Sequence, residues 1–339
     1  MSDQSNFSIL ILAAGKGTRM KSEKAKVLHQ VFYAPMLHHV LTAVKPLKAD
    51  KTVVIIGHQR DEVERSLAPF DLEICVQQEQ LGTGHAVLCA ESIIGSRTGT
   101  VMILCGDTPL IQSESLEQMY RQHLATGGSL TVMTTVLENP TNYGRIISND
   151  AGKVLSIVEE KDATVEQKKI REINAGIYCV NADFLFTCLK KVGTDNSQGE
   201  VYLTDIVAMA TEEQYSVEKY MVPLSHEVLG VNSRIELAEA HKELQMRRNR
   251  QLMLAGVTMH DPATTSIAPD VKVGLDVTIY PGVHLVGRSV VGKNCILENG
   301  VILKDCVLNE NVYVGAYSYL QGAVIEAGKT IVAHSVLSQ

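Results

Sequence analysis

The sequence predicts an α/β protein in three parts. These are a mixed-sheet domain over residues 1–232, a linking helix over 233–256 and a short hexapeptide-repeat parallel β-helix over 257–339. Three observations carry this. Through residue 230, short β-like runs alternate with amphipathic stretches. Ser233–Ala255 is charged and free of Gly and Pro. From Ile267 onward, apolar residues recur every six positions.

In the first part the runs "FSILIL", "TVVIIG", "LEICVQ", "TVMILCGD" and "LTVMTTVL" are rich in Val, Ile, Leu and Thr. Between them, Ala34–Val44 and Ser113–Ala125 carry apolar residues at three- and four-residue spacings, the pattern of an amphipathic helix. Strands alternating with helices predict a mainly parallel, Rossmann-like sheet wrapped by helices. The near-continuous apolar strands fit burial on both faces. In such sheets ligands bind beyond the carboxyl ends of the strands. "LAAGKGTRM" (Leu12–Met20) and "CGDTPL" (Cys105–Leu110) both lie at such ends.

The linking helix has a start and a stop. Ser233 and Glu236 form a possible capping box, and Gly256 is a possible terminator.

The repeat begins at Ile267 and continues through Val273, Ile279, Leu285, Val291, Leu297 and Leu303. It slips by one residue to Leu308, Val314 and Leu320, and again to Ile325, Ile331 and Leu337. Four positions after most of these anchors stand small or β-branched residues: Val271, Val277, Val283, Ser289, Cys295, Val301, Val307, Val312, Ser318 and Val324. Neither a helical nor a two-residue period produces this. One short strand and one corner per six residues, three to a turn, does. The anchors predict about four coils, a prism about 19 Å long at ~4.8 Å per stacked strand.

Composition narrows the partners. The chain has a net charge of −7 and no basic tract, which argues against a nucleic-acid partner. No apolar run approaches the roughly 20 residues that span a bilayer. "MSDQSNFSILILAAG" has neither a basic region nor a cleavage site, so it does not read as a secretory leader. The seven cysteines include no C-x-x-C pair. They read as reduced, buried thiols of a cytoplasmic protein.

"LAAGKGTRM" is a phosphate loop of neither common kind. A dinucleotide fingerprint needs a third glycine where Met20 stands, and a Walker A loop needs Ser or Thr where Gly17 stands. Gly15, Gly17 and Thr18 can bring backbone N–H groups to anionic oxygens. Arg19 and Lys26 add fixed positive charge. This suits a nucleoside triphosphate that reacts at its α-phosphorus. Asp107, after the strand ending Leu104-Cys105-Gly106, is a carboxylate at a strand's carboxyl end and a natural Mg²⁺ ligand.

The order G-x-G-T-R followed by a Lys resembles the signature of sugar-1-phosphate nucleotidylyltransferases. "QEQLGTGHA" (Gln78–Ala86), "GDTPL" (Gly106–Leu110), "NYGRI" (Asn142–Ile146), "IVEEKDAT" (Ile157–Thr164), "EINAGIY" (Glu172–Tyr178), "YLTDI" (Tyr202–Ile206) and "GVNSR" (Gly230–Arg234) follow in order. Together they resemble the uridylyltransferase half of the bifunctional N-acetylglucosamine-1-phosphate uridylyltransferase/glucosamine-1-phosphate acetyltransferase family. The helical arm and hexapeptide repeat resemble that family's plan too.

This resemblance implies a left-handed β-helix and transfer of a uridylyl group from UTP to a sugar 1-phosphate, N-acetylglucosamine 1-phosphate first among them. It implies Mg²⁺ on Asp107 and Asn232, with Arg19 and Lys26 on the phosphates. Leu12, Ala13, Ala14 and Gly15 would lie against the nucleotide. Gln77, Gly82 and Thr83 would read uracil, Gln77 through an amide that both donates and accepts. Cys105 and Gly106 would stand near the sugar, with Gly144, Glu159 and Asn174 around the N-acetylhexosamine. It also implies a homotrimer through the β-helix. The family's acetyltransferase site lies in later coils and a tail, so acetyl transfer is not expected here.

Three departures from the family pattern bear on specificity. Ala25 stands where Pro usually precedes the Lys, Cys105 replaces a common Tyr, and Ala175 replaces Thr or Ser. Thr204 and Asp205 read as helix caps. His38, His39 and His85 read as structural. Rival readings are the same chemistry on another hexose 1-phosphate, acetyl transfer, and a non-catalytic regulatory or assembly subunit. Loss of Arg19, Lys26 or Asp107 would signal the last, and all three are present.

Overall fold

The computed structural model of the chain describes residues 6–95 and 99–338. The first five residues, part of the stretch read as lacking a leader, lie outside the described residues. The chain divides into two compact units, Met1–Gln30 with Ala34–Glu236, and Val31–Tyr33 with Leu237–Gln339.

The first unit is built on a nine-stranded sheet. Its strands in chain order are β1 (Phe7–Ala13), β2 (Lys51–Ile56), β3 (Glu73–Val76), β4 (Thr100–Cys105), β5 (Leu130–Val136), β6 (Arg145–Ser148), β7 (Val154–Val158), β8 (Glu172–Asn181) and β9 (Val217–Met221). Across the sheet they run β9, β5, β8, β4, β1, β2, β3, with β6 beside β8 and β7 beside β6. Successive side chains of a strand point to opposite faces. In β1, Leu10 therefore enters one hydrophobic core while Ile9 and Ile11 enter the other. Helices cover both faces, which is why β1 reads as an unbroken apolar run.

The sheet is mixed and mainly parallel, as expected, with β8 reversed inside it. Strands β1, β2, β3 and β4 are mutually parallel, as are β5 and β9. β8 runs antiparallel to both β4 and β5. A parallel return needs a long crossover, usually a helix. Between β5 and β8 the chain instead makes the antiparallel ribbon β6–β7 and one short 3-10 turn, Gln167–Lys169.

The first helix is Met36–Val44, not Ala34–Val44, because Pro35 is extended at φ −56° and ψ 146°. The second expected helix spans Ser113–Thr126 and stops at Gly127, whose φ of 60° is left-handed. The long helix spans Arg234–Leu254. Its capping box forms as expected: Glu236 Oε2 accepts from the Ser233 N–H, and Ser233 Oγ accepts from the Glu236 N–H. No helix among the described residues is long and apolar enough to cross a membrane.

The second unit stacks two- and three-residue strands into three parallel sheets of five, five and four strands, a parallel β-helix. All thirteen anchors from Ile267 to Leu337 lie on these strands, and Thr258–Met259 adds a strand before them. Most anchors are fully buried, whereas Leu337 is exposed. Most positions four after an anchor are buried too, but Val307 and Val324 are exposed, and Cys306 and Ala323 are buried instead. Each lies in the coil where the register slips, so the corner is one residue shorter and the inward position moves back by one.

Candidate active site

β1 and β4 are adjacent and parallel, and Leu12 pairs with Cys105 at their carboxyl ends. A cavity of about 450 Å³ opens there. Leu12, Ala13, Ala14, Gly15, Gln77, Gly82 and Thr83 line it, as do Lys26, Cys105 and Asp107. Gly17 has φ 60°, and a Cβ there would come within 2.5 Å of Lys26 Cβ, so the loop's second glycine makes room for the lysine.

Arg19 and Lys26 from the loop after β1, Asp107 after β4 and Asn232 before the long helix converge from three parts of the chain. Lys26 Nζ forms an ion pair with Asp107 Oδ2. It also donates to Asn232 Oδ1 at 2.5 Å. An Arg19 guanidinium nitrogen donates to the same Asn232 oxygen at 2.8 Å. Asn232 Nδ2 donates to the Gly230 carbonyl at 3.0 Å, which leaves Oδ1 facing the cations. Gly106 sits behind this group, its N–H bonded to the Leu12 carbonyl at 2.9 Å.

Asp107 and Asn232 thus present two hard oxygens to one cationic atom, the Lys26 ammonium. That donor set fits a Mg²⁺ ion, which takes one or two protein oxygens and fills its remaining positions with water and phosphate. Among the described residues no group of three or more His, Cys, Asp and Glu gathers as a complete protein cage.

Gln77 is buried, and its Nε2 faces the Gly82 carbonyl at 3.1 Å and His85 Nδ1 at 3.0 Å. The amide is therefore braced by the "LGTG" turn. His85, read as structural, holds it. Thr83 Oγ1 accepts from the Leu203 N–H at 3.0 Å. Gly82 has φ 112°, and a Cβ there would meet the Val201 backbone.

A second group stands around β8. The β5–β8 register shifts between Asn174 and Tyr178, and Gly176 takes φ 72° inside this bulge. Asn174 pins it: Oδ1 accepts from the Gly176 N–H at 2.9 Å and Nδ2 donates to the Tyr178 hydroxyl at 2.7 Å. The Asn174 N–H donates to the Gly144 carbonyl at 2.9 Å. A Cβ on Gly144 would lie 3.5 Å from both Glu159 carboxylate oxygens. Gly144, Glu159 and Asn174 are therefore brought together. Cys105, 3.7 Å from the Gly176 carbonyl, joins this group to the cavity. Burial pushes the Cys105 thiol up to about 12 and also raises the Glu159 carboxyl above its usual range.

Thr204 stands at the N-cap of the helix Asp205–Glu212, but its hydroxyl does not cap it. It donates to Glu159 Oε1 at 3.3 Å. The expectation of a simple cap is corrected: Thr204 has helical φ −61° and ψ −24°, whereas a capping residue takes a non-helical backbone. Four contributors have no role assigned to them by the sequence, although Gln80 and Tyr143 stand inside the motifs quoted above. Gln80 and Glu200 line the cavity, and Asn196 holds Glu200 by its backbone. Tyr143 hydrogen-bonds to the Gly230 backbone, and burial pushes its phenol up to about 12.

Residues 8–225 match the family model of the nucleotidyl transferases. The chain is 53% identical to the bifunctional protein GlmU of Desulfotalea psychrophila, over 98% of this chain and 98% of that protein. It is 48% identical to the bifunctional protein GlmU of Geobacter metallireducens, over 89% of this chain and 64% of the relative. With that of Shouchella clausii it shares 41% identity over 95% of this chain and 70% of the relative. The chain therefore spans nearly the whole of the first relative and about two thirds of the other two.

Proposed function

Because the chain belongs to the GlmU family of nucleotidyl transferases, we propose that it transfers the uridylyl group of UTP to N-acetylglucosamine 1-phosphate. The products are UDP-N-acetylglucosamine and pyrophosphate. The observation that carries this reading is the convergence of Lys26, Arg19, Asp107 and Asn232 beside a cavity lined by Leu12–Gly15, Gln77, Gly82 and Thr83.

A phosphate oxygen of the sugar 1-phosphate attacks the α-phosphorus of UTP in line. The bond to the bridging oxygen breaks and its electron pair leaves with pyrophosphate. The nucleophile is already an anion, so no residue need remove a proton. Arg19 and Lys26 neutralise the triphosphate and hold it for attack. Each contributes on the order of 2–4 kcal/mol, the scale of one preorganised electrostatic contact. Mg²⁺, held by Asp107 and Asn232 when bound, supplies further charge neutralisation. The backbone of Leu12–Gly15 and the amide of Gln77 orient the base and ribose. Gly144, Glu159 and Asn174 form the acceptor wall, where a half-buried carboxyl and a carboxamide can bond sugar hydroxyls and the acetamido group.

Pyrophosphate release from UTP with a panel of hexose and N-acetylhexosamine 1-phosphates tests this. Turnover is expected with N-acetylglucosamine 1-phosphate and UTP in Mg²⁺. Faster turnover of another hexose 1-phosphate would favour the rival acceptor. No turnover with any member would favour a non-catalytic subunit. Acetyl transfer from acetyl-CoA to glucosamine 1-phosphate is proposed to be absent from this chain, and enzyme-dependent transfer would overturn that. The β-helix is proposed to assemble the chain as a homotrimer.

A further inference from the structure

We propose that Glu236 is the positioning residue for Asn232, so that the first turn of the long helix controls how tightly the site holds a divalent cation. This rests on the reading above only in assigning Asp107 and Asn232 to that cation.

A capping box needs one bond from the Glu carboxylate to the N-cap N–H. Glu236 Oε2 makes that bond, accepting from the Ser233 N–H at 2.8 Å. The same oxygen also accepts from the Asn232 N–H at 2.6 Å, one residue beyond what a cap requires. Asn232 lies in a short segment without regular structure, between Gly230 and the helix start at Arg234. Its neighbour Val231 is tied to the Asp107 carbonyl at 2.8 Å. Glu236 thus fixes the backbone of Asn232 from one side, while Gly230 holds its Nδ2 from the other at 3.0 Å. With both held, Oδ1 faces Lys26 and Arg19. Without Glu236 the Asn232 peptide is free to turn, and the carboxamide turns with it.

Partners that orient metal ligands typically affect affinity by about 10–100-fold. Mn²⁺ serves as the probe, titrated by electron paramagnetic resonance with UTP present and no acceptor sugar. Glu236→Ala should weaken Mn²⁺ binding about tenfold. Glu236→Asp keeps the helix-start charge but loses the reach to Asn232, and should also weaken it severalfold. Glu236→Gln keeps an accepting oxygen and should restore binding to near the starting value. Ser233→Ala removes the reciprocal cap, so it should lower the melting temperature without shifting the Mn²⁺ midpoint. The proposal is overturned if Glu236→Ala or Glu236→Asp leaves the midpoint unchanged, or if Ser233→Ala shifts it as far. Should Glu236→Ala not fold, Glu236→Asp decides. A chain that holds Mn²⁺ through Glu236 yet makes no UDP-sugar would sink the proposed function and leave this inference standing. A chain that turns over UTP with a Mn²⁺ midpoint indifferent to Glu236 would do the reverse.

Discussion

Lys26 and Asp107 form an ion pair although 81 positions separate them. The loop after β1 brings the ammonium, and the end of the neighbouring strand β4 brings the carboxylate. A parallel pair of strands delivers both to one edge of the sheet.

Asp107→Asn removes the carboxylate charge from this meeting point. Turnover should fall at least ~100-fold, the scale of losing a preorganised electrostatic group. Circular dichroism and melting temperature should stay near the starting values, because Asp107 is only partly buried. Near-normal turnover of the folded variant in Mg²⁺ would take Asp107 out of the site.

Glu159→Gln tests the acceptor wall. A hydrogen bond to a charged group contributes about 1.5–3 kcal/mol. The KM for the sugar 1-phosphate should rise roughly 10- to 100-fold, while the KM for UTP stays within about twofold. Steady-state kinetics with each substrate varied in turn check this, and an equal rise in both constants would refute it.

Ala25→Pro probes the departure from the family's usual proline. Ala25 already adopts φ −52° and ψ 133°, close to the value a proline ring imposes. The substitution should stabilise the chain by about 0.4–1 kcal/mol through the unfolded state. In a chain of this size that raises the melting temperature by about 1–3 °C. A lower melting temperature would mean the buried site around Ala25 cannot hold the ring.

His123 sets a pH dependence. It is buried against Thr131 Oγ1 at 2.9 Å, and burial pushes its pKa down to about 4. The folded chain keeps this ring neutral, while the unfolded chain protonates it below about pH 6.5. More protons on the unfolded state mean that stability rises with pH. This contribution is fully present above pH 6.5 and is lost as pH falls towards 4. Urea melts at pH 7.5 and pH 5 should differ in this direction, and His123→Gln should flatten the difference. An unchanged slope in the variant would exonerate His123.

The trimer is tested by light scattering. Ile296, Ile302, Tyr313 and Tyr317 are exposed on the β-helix at 36–64% of their accessible surface. Packing flat faces around a threefold axis would bury them. The expected mass is three times the 37.0 kDa of one chain. A clean monomer at micromolar concentration would sink the trimer.

Local patterns carried much of this into the sequence. The anchors of the β-helix were legible because each coil obeys the same six-residue rule, and burial follows it at every anchor from Ile279 to Ile325. The Ser233–Glu236 box was legible because a cap is local. What depends on chain direction or on distant neighbours was not. No periodicity reports that β8 runs against β4. The register slips were visible, but not that they turn Val307 and Val324 outward. Thr204 looked like a cap because its partner, Glu159, lies 45 positions away. Gln77 looked like a free reader of a base, and only the folded turn reveals that Gly82 and His85 brace its nitrogen.

The reversed direction of β8 separates two problems that a fully parallel sheet would couple. Its first residues, Glu172–Asn174, arrive at the edge where the parallel strands β1 and β4 end. The wall they build with β6 and β7 hangs from a single excursion of the chain, residues 137–171, inserted between β5 and β8. Changes of length or side chain in that excursion can reshape the proposed acceptor wall while leaving the phosphate loop, Lys26 and Asp107 at the ends of β1 and β4. If the proposed roles hold, the fold is a nucleotide holder with a separable fitting, and grafting that one segment between relatives is the natural route to a new acceptor.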